Sequence, residues 1–133
     1  MLVDLAQIRH LLTTSRTIAV VGLSPKESRP SNQVARYLIS AGFRVFPVNP
    51  GQETILGLPC YPDLAAIPES VEIVDIFRKP EEVGPVVDEA IKIGAKAVWM
   101  QEGIVNETAA AKARAAGLVV VMDRCIKIDH QRL

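Results

Sequence analysis

The sequence offers little that would direct the protein to nucleic acid, to a membrane or to an oxidising compartment. It has only two cysteines, 5% aromatic residues, and 15 basic residues against 15 acidic ones. A chain without net charge has no general field that would attract nucleic acid or an anionic membrane. No apolar run approaches the ~20 residues that a membrane-spanning helix needs. Any site for an anion must therefore be local.

The cysteines and the amino terminus also give no sign of secretion. Cys60 and Cys125 lie far apart, with neither the spacing of metal ligands nor a disulfide framework, and are expected to be small buried hydrophobes. The first residues include Asp4 and lack the basic start and long apolar segment of a signal peptide. We expect a cytoplasmic protein without a metal site.

What the sequence does contain is the balance of a globular domain. Hydrophobic residues make up 49% of the 133 residues and charged residues 23%. A chain of this length buries roughly two thirds of the surface that its unfolded form exposes, so it needs no disulfide to fold. No repeat, linker or change of composition divides it. We predict one domain over residues 1–133.

Short apolar runs rich in β-branched residues alternate with stretches of helical periodicity. Strands are predicted at residues 17–23, 43–48, 71–77, 95–101 and 118–122. Helices are predicted at residues 4–14, on the stripe Val34, Tyr37, Leu38 and Ala41, on the stripe from Val83 to Ile91, and at residues 106–117. Strands that are apolar on both faces and separated by helices indicate a parallel sheet with helices on both faces. With right-handed crossovers, this is a doubly wound, Rossmann-like α/β fold of about five strands.

The remaining segments are predicted with less regular structure. Residues 49–63 are rich in proline and glycine and are expected to be irregular, with one short strand. Asp63 can cap a brief helical turn that ends at Ala66. Pro47 lacks an amide hydrogen and should lie near a strand end or at the edge of the sheet. The polar tail, residues 123–133, carries no predicted element.

Ligands of open α/β sheets bind outside the carboxyl ends of the strands, where the strand order reverses. The residues that follow the predicted strands are Gly22, Leu23 and Ser24; Asn49 and Pro50; Phe77, Arg78, Lys79 and Pro80; Gln101, Glu102 and Gly103; and Asp123, Arg124 and Cys125. Most of these strand ends carry a polar group that could meet a ligand. A phosphate-bearing nucleotide cofactor is therefore expected at this edge of the sheet.

The segment between the first strand and the second helix has the composition of an anion site. Its polar and flexible residues are Gly22, Ser24, Lys26, Ser28, Arg29 and Ser31. Free amide hydrogens and the helix dipole favour a phosphate at such a position. The alternative is that Ser28 or Ser31 caps the helix, Pro30 occupies its first turn and the two cations are solvated.

The same segment does not match the dinucleotide fingerprint G-x-G-x-x-G. Ser24 and Glu27 stand at the second and third glycine positions, and Asn49 follows the second strand where an acid would bind the ribose. Side chains at these positions would hold a pyrophosphate farther from the backbone. A different nucleotide, or a different pose, is implied.

Six spaced motifs together resemble a known family. They are GLS with SRPS in residues 22–31, RVFPVNP at 44–50, LGLP at 56–59, DIFRKP at 75–80, WMQEGI at 99–104 and DRC at 123–125. In this order they resemble the small stand-alone coenzyme A binding proteins, which are similar to the amino-terminal domain of the succinyl-coenzyme A synthetase α subunit. The resemblance covers residues 17–133.

The resemblance implies a role for each matching segment. Gly22, Leu23, Ser24, Ser28, Arg29, Pro30 and Ser31 match the loop that cradles the phosphates. Val48, Asn49 and Pro50 match the wall beside the adenosine. Phe77, Arg78, Lys79 and Pro80 match the loop across the adenine and pantetheine, and Gln101, Gly103 and Ile104 border the extended arm. In addition, Lys26, Arg29, Arg78 and Lys79 supply local positive charge for the phosphates of coenzyme A.

The resemblance favours a binding module for coenzyme A or an acyl-coenzyme A rather than an enzyme. The synthetase chemistry needs a phosphorylated histidine and further domains, whereas the histidines here are His10 in the first helix and His130 in the tail, both expected at the surface. A nicotinamide or flavin redox domain and a coenzyme-responsive protein that docks on a separate enzyme remain alternatives. Cys125 could exchange with the coenzyme thiol. The sequence does not decide between a monomer, a homo-oligomer and a complex.

Overall fold

The computed structural model describes residues 3–133 and contains a parallel sheet whose strands alternate with helices. The strands are β1 Thr17–Val21, β2 Arg44–Val48, β3 Thr54–Ile55, β4 Leu58–Pro59, β5 Ile73–Ile76, β6 Ala97–Met100 and β7 Val119–Val121. Five of them form the main sheet in the order β2-β1-β5-β6-β7, and every neighbouring pair is parallel. The predicted doubly wound α/β fold is confirmed, with strands somewhat shorter than the apolar runs.

Helices cover both faces of this sheet. They are α1 Leu5–Thr14, α2 Pro30–Ser40, α3 Val83–Lys92, α4 Glu107–Ala115 and α5 Ile126–Gln131, with 3-10 turns at Leu64–Ala66 and Pro80–Glu82. Two buried clusters fill the spaces between sheet and helices. The first joins the sheet to α3 and α4, and the second joins it to α1, α2 and α5. Strand residues alternate between the two clusters, as the pleat of a sheet requires.

The edge strand β2 is where the chain accommodates a proline. Pro47 lies in β2 at the outside of the sheet, as predicted, and its carbonyl accepts a 2.9 Å hydrogen bond from the amide of Tyr61. The segment leading to Tyr61 contains β3 and β4 as a small antiparallel pair, where one short strand was predicted. Asp63 caps the turn that ends at Ala66, as predicted.

One helix was not predicted, and the predicted extent of another is wrong. The polar tail forms α5, because Ile126 is fully buried in the second cluster and anchors a segment with little apolar periodicity. Ala41 is exposed and lies beyond the end of α2, so Ala35 takes its place in the buried stripe of that helix. Within residues 3–133, no helix combines the length and apolar character needed to cross a membrane.

The strand order places the switch point of the fold at β1. From β1 the chain crosses to β2 on one side and then returns to β5 on the other side. Parallel sheets of this type bind ligands in the crevice that opens between the two loops leaving in opposite directions. Here these are the loops that follow β1 and β5. Both were selected from the sequence as candidate binding segments.

Candidate functional site

The loops after β1 and β5 touch at Gly22. Gly22 has a positive φ of 85°, and an added Cβ atom would lie 2.1 Å from the carbonyl oxygen of Phe77. Its amide donates to the carbonyl of Val48 at 2.9 Å, which also ties it to the end of β2. Only glycine fits both the backbone conformation and this approach. Three of the predicted binding segments therefore meet at one residue.

Hydrogen bonds within the loop hold it against the start of α2. The hydroxyl oxygen of Ser31 accepts from the amide of Ser24 at 3.0 Å, and the Asn32 side-chain amide donates to the Ser24 carbonyl at 2.9 Å. The Ser24 hydroxyl in turn accepts from the amide of Lys26. Neither Ser28 nor Ser31 caps α2, contrary to the alternative considered from the sequence. Arg29 occupies the N-cap position without a side-chain cap, and Pro30 is the first helical residue.

Arg36 and Asn32 support the candidate loop, and the sequence did not predict this role. The Arg36 Nε donates to Asn32 Oδ1 at 2.9 Å, and its Nη2 donates to the carbonyl of Glu27 at 2.9 Å. Asn32 is almost fully buried in α2. Through Arg36, this pair holds the loop against the helix. Helical spacing of an arginine four residues after an asparagine was the signal available in the sequence.

Three backbone N–H groups of this loop lack a hydrogen-bond partner among the described residues. Within residues 3–133, no hydrogen bond uses the backbone N–H groups of Leu23, Ser28 or Ser31. The first turn of α2 contributes the positive end of its dipole at the same place. Leu23 and Ser31 are buried, at 0% and 5% exposed, whereas Ser28 is exposed. Unpaired amides next to a helix N-terminus are the arrangement that binds phosphate groups.

The predicted cations lie around this loop without acidic partners. In the described part of the chain, the salt bridges use Arg44, Lys96, Lys112 and Arg124. None uses the predicted site cations, which are Lys26, Arg29, Arg78 and Lys79. Lys26, Arg29 and Lys79 are exposed, and Arg78 is half-buried. Their charges remain available to an anionic ligand.

The wall after β2 is built by Asn49. Its side-chain amide donates to the carbonyl of Leu23 at 3.0 Å, and its Oδ1 accepts from the amide of Gly51 at 2.9 Å. The Cys60 thiol donates to the Asn49 carbonyl at 3.4 Å, and burial raises the pKa of Cys60. Pro50 beside it is exposed. Asn49 therefore connects the predicted adenosine wall to the loop of residues 22–31.

The loops after β6 and β7 form a second linked pair. The Gly103 amide donates to Asp123 Oδ1 at 2.6 Å, and the Ile104 amide donates to the Gln101 carbonyl at 2.9 Å. Gln101 is 4% exposed, and its Oε1 accepts from the amide of Ile126 at 3.2 Å. Gln101 thus holds the start of α5, which the sequence did not anticipate, while Gly103 is exposed and Ile104 half-buried beside it.

An ion pair fixes the segment between β7 and α5. Arg124 donates to both oxygens of Asp129, at 2.7 and 2.8 Å, and the hydrogen bond to Asp129 raises the pKa of Arg124. The Trp99 indole N–H donates to the Arg124 carbonyl at 2.8 Å. Cys125 is half-buried and occupies the N-cap position of α5. The DRC motif is thus anchored to the sheet through Trp99.

The two histidines have different environments. His10 is exposed on α1, as expected. His130 is half-buried in α5, where its Nδ1 lies 2.6 Å from the Tyr37 hydroxyl and its ring meets Phe43 edge-on. The expectation of a surface His130 is therefore wrong, because α5 packs this residue against α2. Neither histidine belongs to the loops that follow the strands.

One carboxyl lies beneath the crevice. Asp75 of β5 is fully buried, and neither of its oxygens has a hydrogen-bond partner within residues 3–133. Burial raises the pKa of Asp75 well above the usual range of an aspartate, because the charged form loses its hydration. Burial therefore favours the neutral form of this carboxyl, in a strand that leads to the candidate crevice.

Comparison with known proteins gives consistent results. A family model described as a CoA binding domain matches residues 16–131. The protein YneT of Bacillus subtilis (strain 168) is 38% identical over 125 residues, which cover 94% of this chain and 93% of YneT. A solved structure of a hypothetical protein from Pyrococcus horikoshii OT3 is 45% identical, with a TM-score of 0.96 over 98% of this chain and 92% of that one.

A larger protein contains the same fold as one part. The apo form of the dinucleotide-forming acetyl-coenzyme A synthetase 1 of Ca. Korarchaeum cryptofilum is 30% identical, with a TM-score of 0.76. The match covers 90% of this chain but only 28% of the synthetase chain. Most of the synthetase therefore has no counterpart in the residues matched here.

Proposed function

Because this chain belongs to the CoA-binding domain family, we propose that it binds coenzyme A at the crevice between the loops after β1 and β5. The observation that carries the proposal is the loop of residues 22–31. It combines a glycine that admits the neighbouring strand, unpaired backbone amides and cations without acidic partners. These features suit the phosphates of the coenzyme.

Charge-assisted hydrogen bonds would supply a large part of the binding energy for such a ligand. Each charge-assisted hydrogen bond to a phosphate is worth about 1.5–3 kcal/mol. Lys26 and Arg29 flank the open amides, and Arg78 and Lys79 follow β5 on the other side of the crevice. Contacts from two or three of these cations would contribute about 3–9 kcal/mol before the cost of association is subtracted. The neutral net charge of the chain makes this a local effect.

The rest of the coenzyme follows the order of the strand ends. The adenosine lies against Val48, Asn49 and Pro50, where Asn49 is fixed to the phosphate loop through Leu23. The pantetheine arm runs past Phe77 toward Gln101, Gly103 and Ile104. Because the loop of Gly103 is tied to Asp123, the thiol or an acyl group attached to it reaches the DRC segment.

We further propose that the chain binds the coenzyme without transforming it. His10 is exposed on α1, and His130 is paired with Tyr37, so neither is placed to carry a phosphoryl group at the strand ends. The residues matched to the Korarchaeum synthetase make up 28% of that chain. A regulatory role, in which coenzyme binding alters docking on a separate enzyme, is compatible with the same site.

A ligand panel tests the proposal. We would measure thermal unfolding with coenzyme A, acetyl-coenzyme A, NAD, NADP and ATP at equal concentrations. A ligand present at about 100 times its dissociation constant stabilises the folded state by about 2.7 kcal/mol, which raises the Tm by several degrees. Coenzyme A or its acetyl ester should give the largest increase. A larger increase in Tm with NAD or NADP would contradict the proposal and indicate a redox domain instead.

The same samples test the absence of catalysis. After prolonged incubation, mass spectrometry should recover coenzyme A and acetyl-coenzyme A unchanged and in the amounts supplied. Turnover of either compound above a protein-free blank would show that the domain is an enzyme.

A further inference from the structure

No hydrogen bond within residues 3–133 explains why the sheet contains Asp75. It is 0% exposed, both of its oxygens lack partners in the described residues, and its neighbours in register are Val20 and Trp99. A buried polar group without a hydrogen bond destabilises the folded state relative to an apolar side chain of similar size. The other apolar residues of β5 show that the strand would form without it.

The position of Asp75 connects it to the crevice. Strand residues alternate, and Val74 and Ile76 belong to the cluster below α3 and α4, so Asp75 faces the opposite side, below α2 and α5. On that face the next residue along the strand is Phe77, about 7 Å farther toward the loop. Phe77 is half-buried and is the residue whose carbonyl meets Gly22.

Buried polar side chains gather around this end of the same face. Ser31 and Asn32 in the first turn of α2 and Gln101 after β6 are all at least nine-tenths buried. Each of these three has a hydrogen-bond partner in the loops or in α5. Asp75 is as buried as these three side chains, but within residues 3–133 it has no hydrogen-bond partner. A polar group supplied from outside the chain would complete the set.

We propose that Asp75 is a binding residue for the arm of the coenzyme, reached when the half-buried Phe77 side chain moves aside. In the neutral form that burial favours, its O–H donates and its carbonyl oxygen accepts a hydrogen bond, which suits an amide of the pantetheine arm. This inference rests on the proposed coenzyme A site and adds a contact to it. The proposed contact is a hydrogen bond; no covalent bond forms or breaks, and no proton is transferred.

Affinity and stability together test the inference. In Asp75→Leu the carboxyl is replaced by an apolar side chain, so the Tm should stay equal or rise while coenzyme A affinity falls about tenfold, or 1.4 kcal/mol. Asp75→Asn keeps one donor and one acceptor, so its affinity should stay within about threefold of the parent. Isothermal titration calorimetry measures both variants.

Ser15 provides the matched control. Its hydroxyl is also buried and has no partner within residues 3–133, but it lies at the end of α1, before β1, at the amino edge of the sheet. Ser15→Ala removes a buried unpartnered group away from the crevice and should leave coenzyme A affinity unchanged. A loss of affinity in Ser15→Ala equal to that in Asp75→Leu would attribute the effect to general repacking and overturn the inference.

A spectroscopic measurement covers the case in which Asp75→Leu fails to fold. Infrared difference spectra of the parent protein, taken with and without coenzyme A, should show a shift in the carbonyl band of a protonated carboxyl that is absent in Asp75→Asn. An unshifted band, or parental affinity in Asp75→Leu, would overturn this inference and leave the coenzyme site intact. If the parent protein does not bind coenzyme A, the proposed function itself fails.

Discussion

The backbone of Gly22 lies so close to Phe77 that a Cβ atom at Gly22 would be 2.1 Å from the Phe77 carbonyl oxygen. No side chain larger than hydrogen fits without moving one of the two loops. The contact also fixes the distance between the phosphate loop and the segment proposed to carry the coenzyme arm. We therefore expect substitutions of Gly22 to change both stability and coenzyme A binding.

Gly22→Ala should damage both properties. The positive φ alone disfavours an alanine by about 1–2 kcal/mol, and the clash with Phe77 adds to this because a backbone atom has to move. We expect a free energy of unfolding lower by about 2–4 kcal/mol, measured by urea denaturation, and loss of coenzyme A binding.

Gly42→Ala is the control for the effect of a positive φ without a steric clash. Gly42 also has a positive φ, of 98°, but nothing lies within 4 Å of its added Cβ atom. Its loss of stability should stay near 1–2 kcal/mol, and coenzyme A binding should be retained. Equal effects of the two substitutions would mean that the approach to Phe77 is unimportant.

Because Asp75 is buried, we expect the free energy of unfolding to decline as the pH rises. Its pKa is raised in the folded state, so above about pH 4 the unfolded chain has lost a proton that the folded protein keeps. The free energy of unfolding then falls with increasing pH, by up to about 1.4 kcal/mol per pH unit, until the folded-state pKa is passed. Asp75→Asn should remove this slope.

Urea denaturation at several pH values between mildly acidic and mildly basic measures the effect. Glu72→Gln serves as the control, because a hydrogen bond from Lys96 lowers the pKa of Glu72. The stabilisation from Glu72 is complete above the unfolded pKa and is lost only as the pH falls into the acidic range. Glu72→Gln should therefore keep the parental slope near neutrality. Parallel curves for the parent and Asp75→Asn would show that Asp75 ionises normally.

Asp129 should be important for α5. Its carboxylate is 6% exposed and accepts two hydrogen bonds from Arg124, whose side chain is 35% exposed. Asp129→Ala removes these bonds and leaves the half-buried guanidinium unpaired, which should cost about 1–3 kcal/mol of stability by denaturant unfolding. Hydrogen exchange should locate the loss in α5.

The exposed pair Lys112–Asp88 gives the comparison for that prediction. Its side chains are 62% and 46% exposed, and exposed pairs contribute about 0–1 kcal/mol. Lys112→Ala should therefore have little effect. A loss in Asp129→Ala no larger than in Lys112→Ala would mean that α5 is held by apolar packing alone.

The main elements were predictable because they depend on local pattern. The apolar runs that became β1, β5 and β6 and the stripe of α3 can be recognised without knowing their neighbours. In contrast, α5 is held by distant partners, since Gln101 accepts from Ile126 and Arg124 pairs with Asp129. A six-residue helix with little apolar periodicity gives no such signal in sequence.

The candidate site was also predictable only in its local features. The candidate loop of residues 22–31 was identified from its composition and position, but its internal hydrogen bonds were not. Ser31 was considered as a helix cap, whereas its hydroxyl accepts from Ser24 across the loop. The support from Asn32 and Arg36, and the absence of a partner for Asp75, depend on tertiary contacts that no local rule encodes.

The most direct test of the coenzyme site is calorimetric titration of coenzyme A into the parent protein, Lys26→Ala/Arg29→Ala and Arg9→Ala/Lys92→Ala. Both double variants remove two exposed positive charges, but Arg9 and Lys92 lie on α1 and at the end of α3, away from the loop. Loss of the two loop contacts should weaken binding by about 100-fold, and the control should bind like the parent. Equal affinity in all three proteins, or no binding by the parent, would contradict a phosphate-binding loop at residues 22–31.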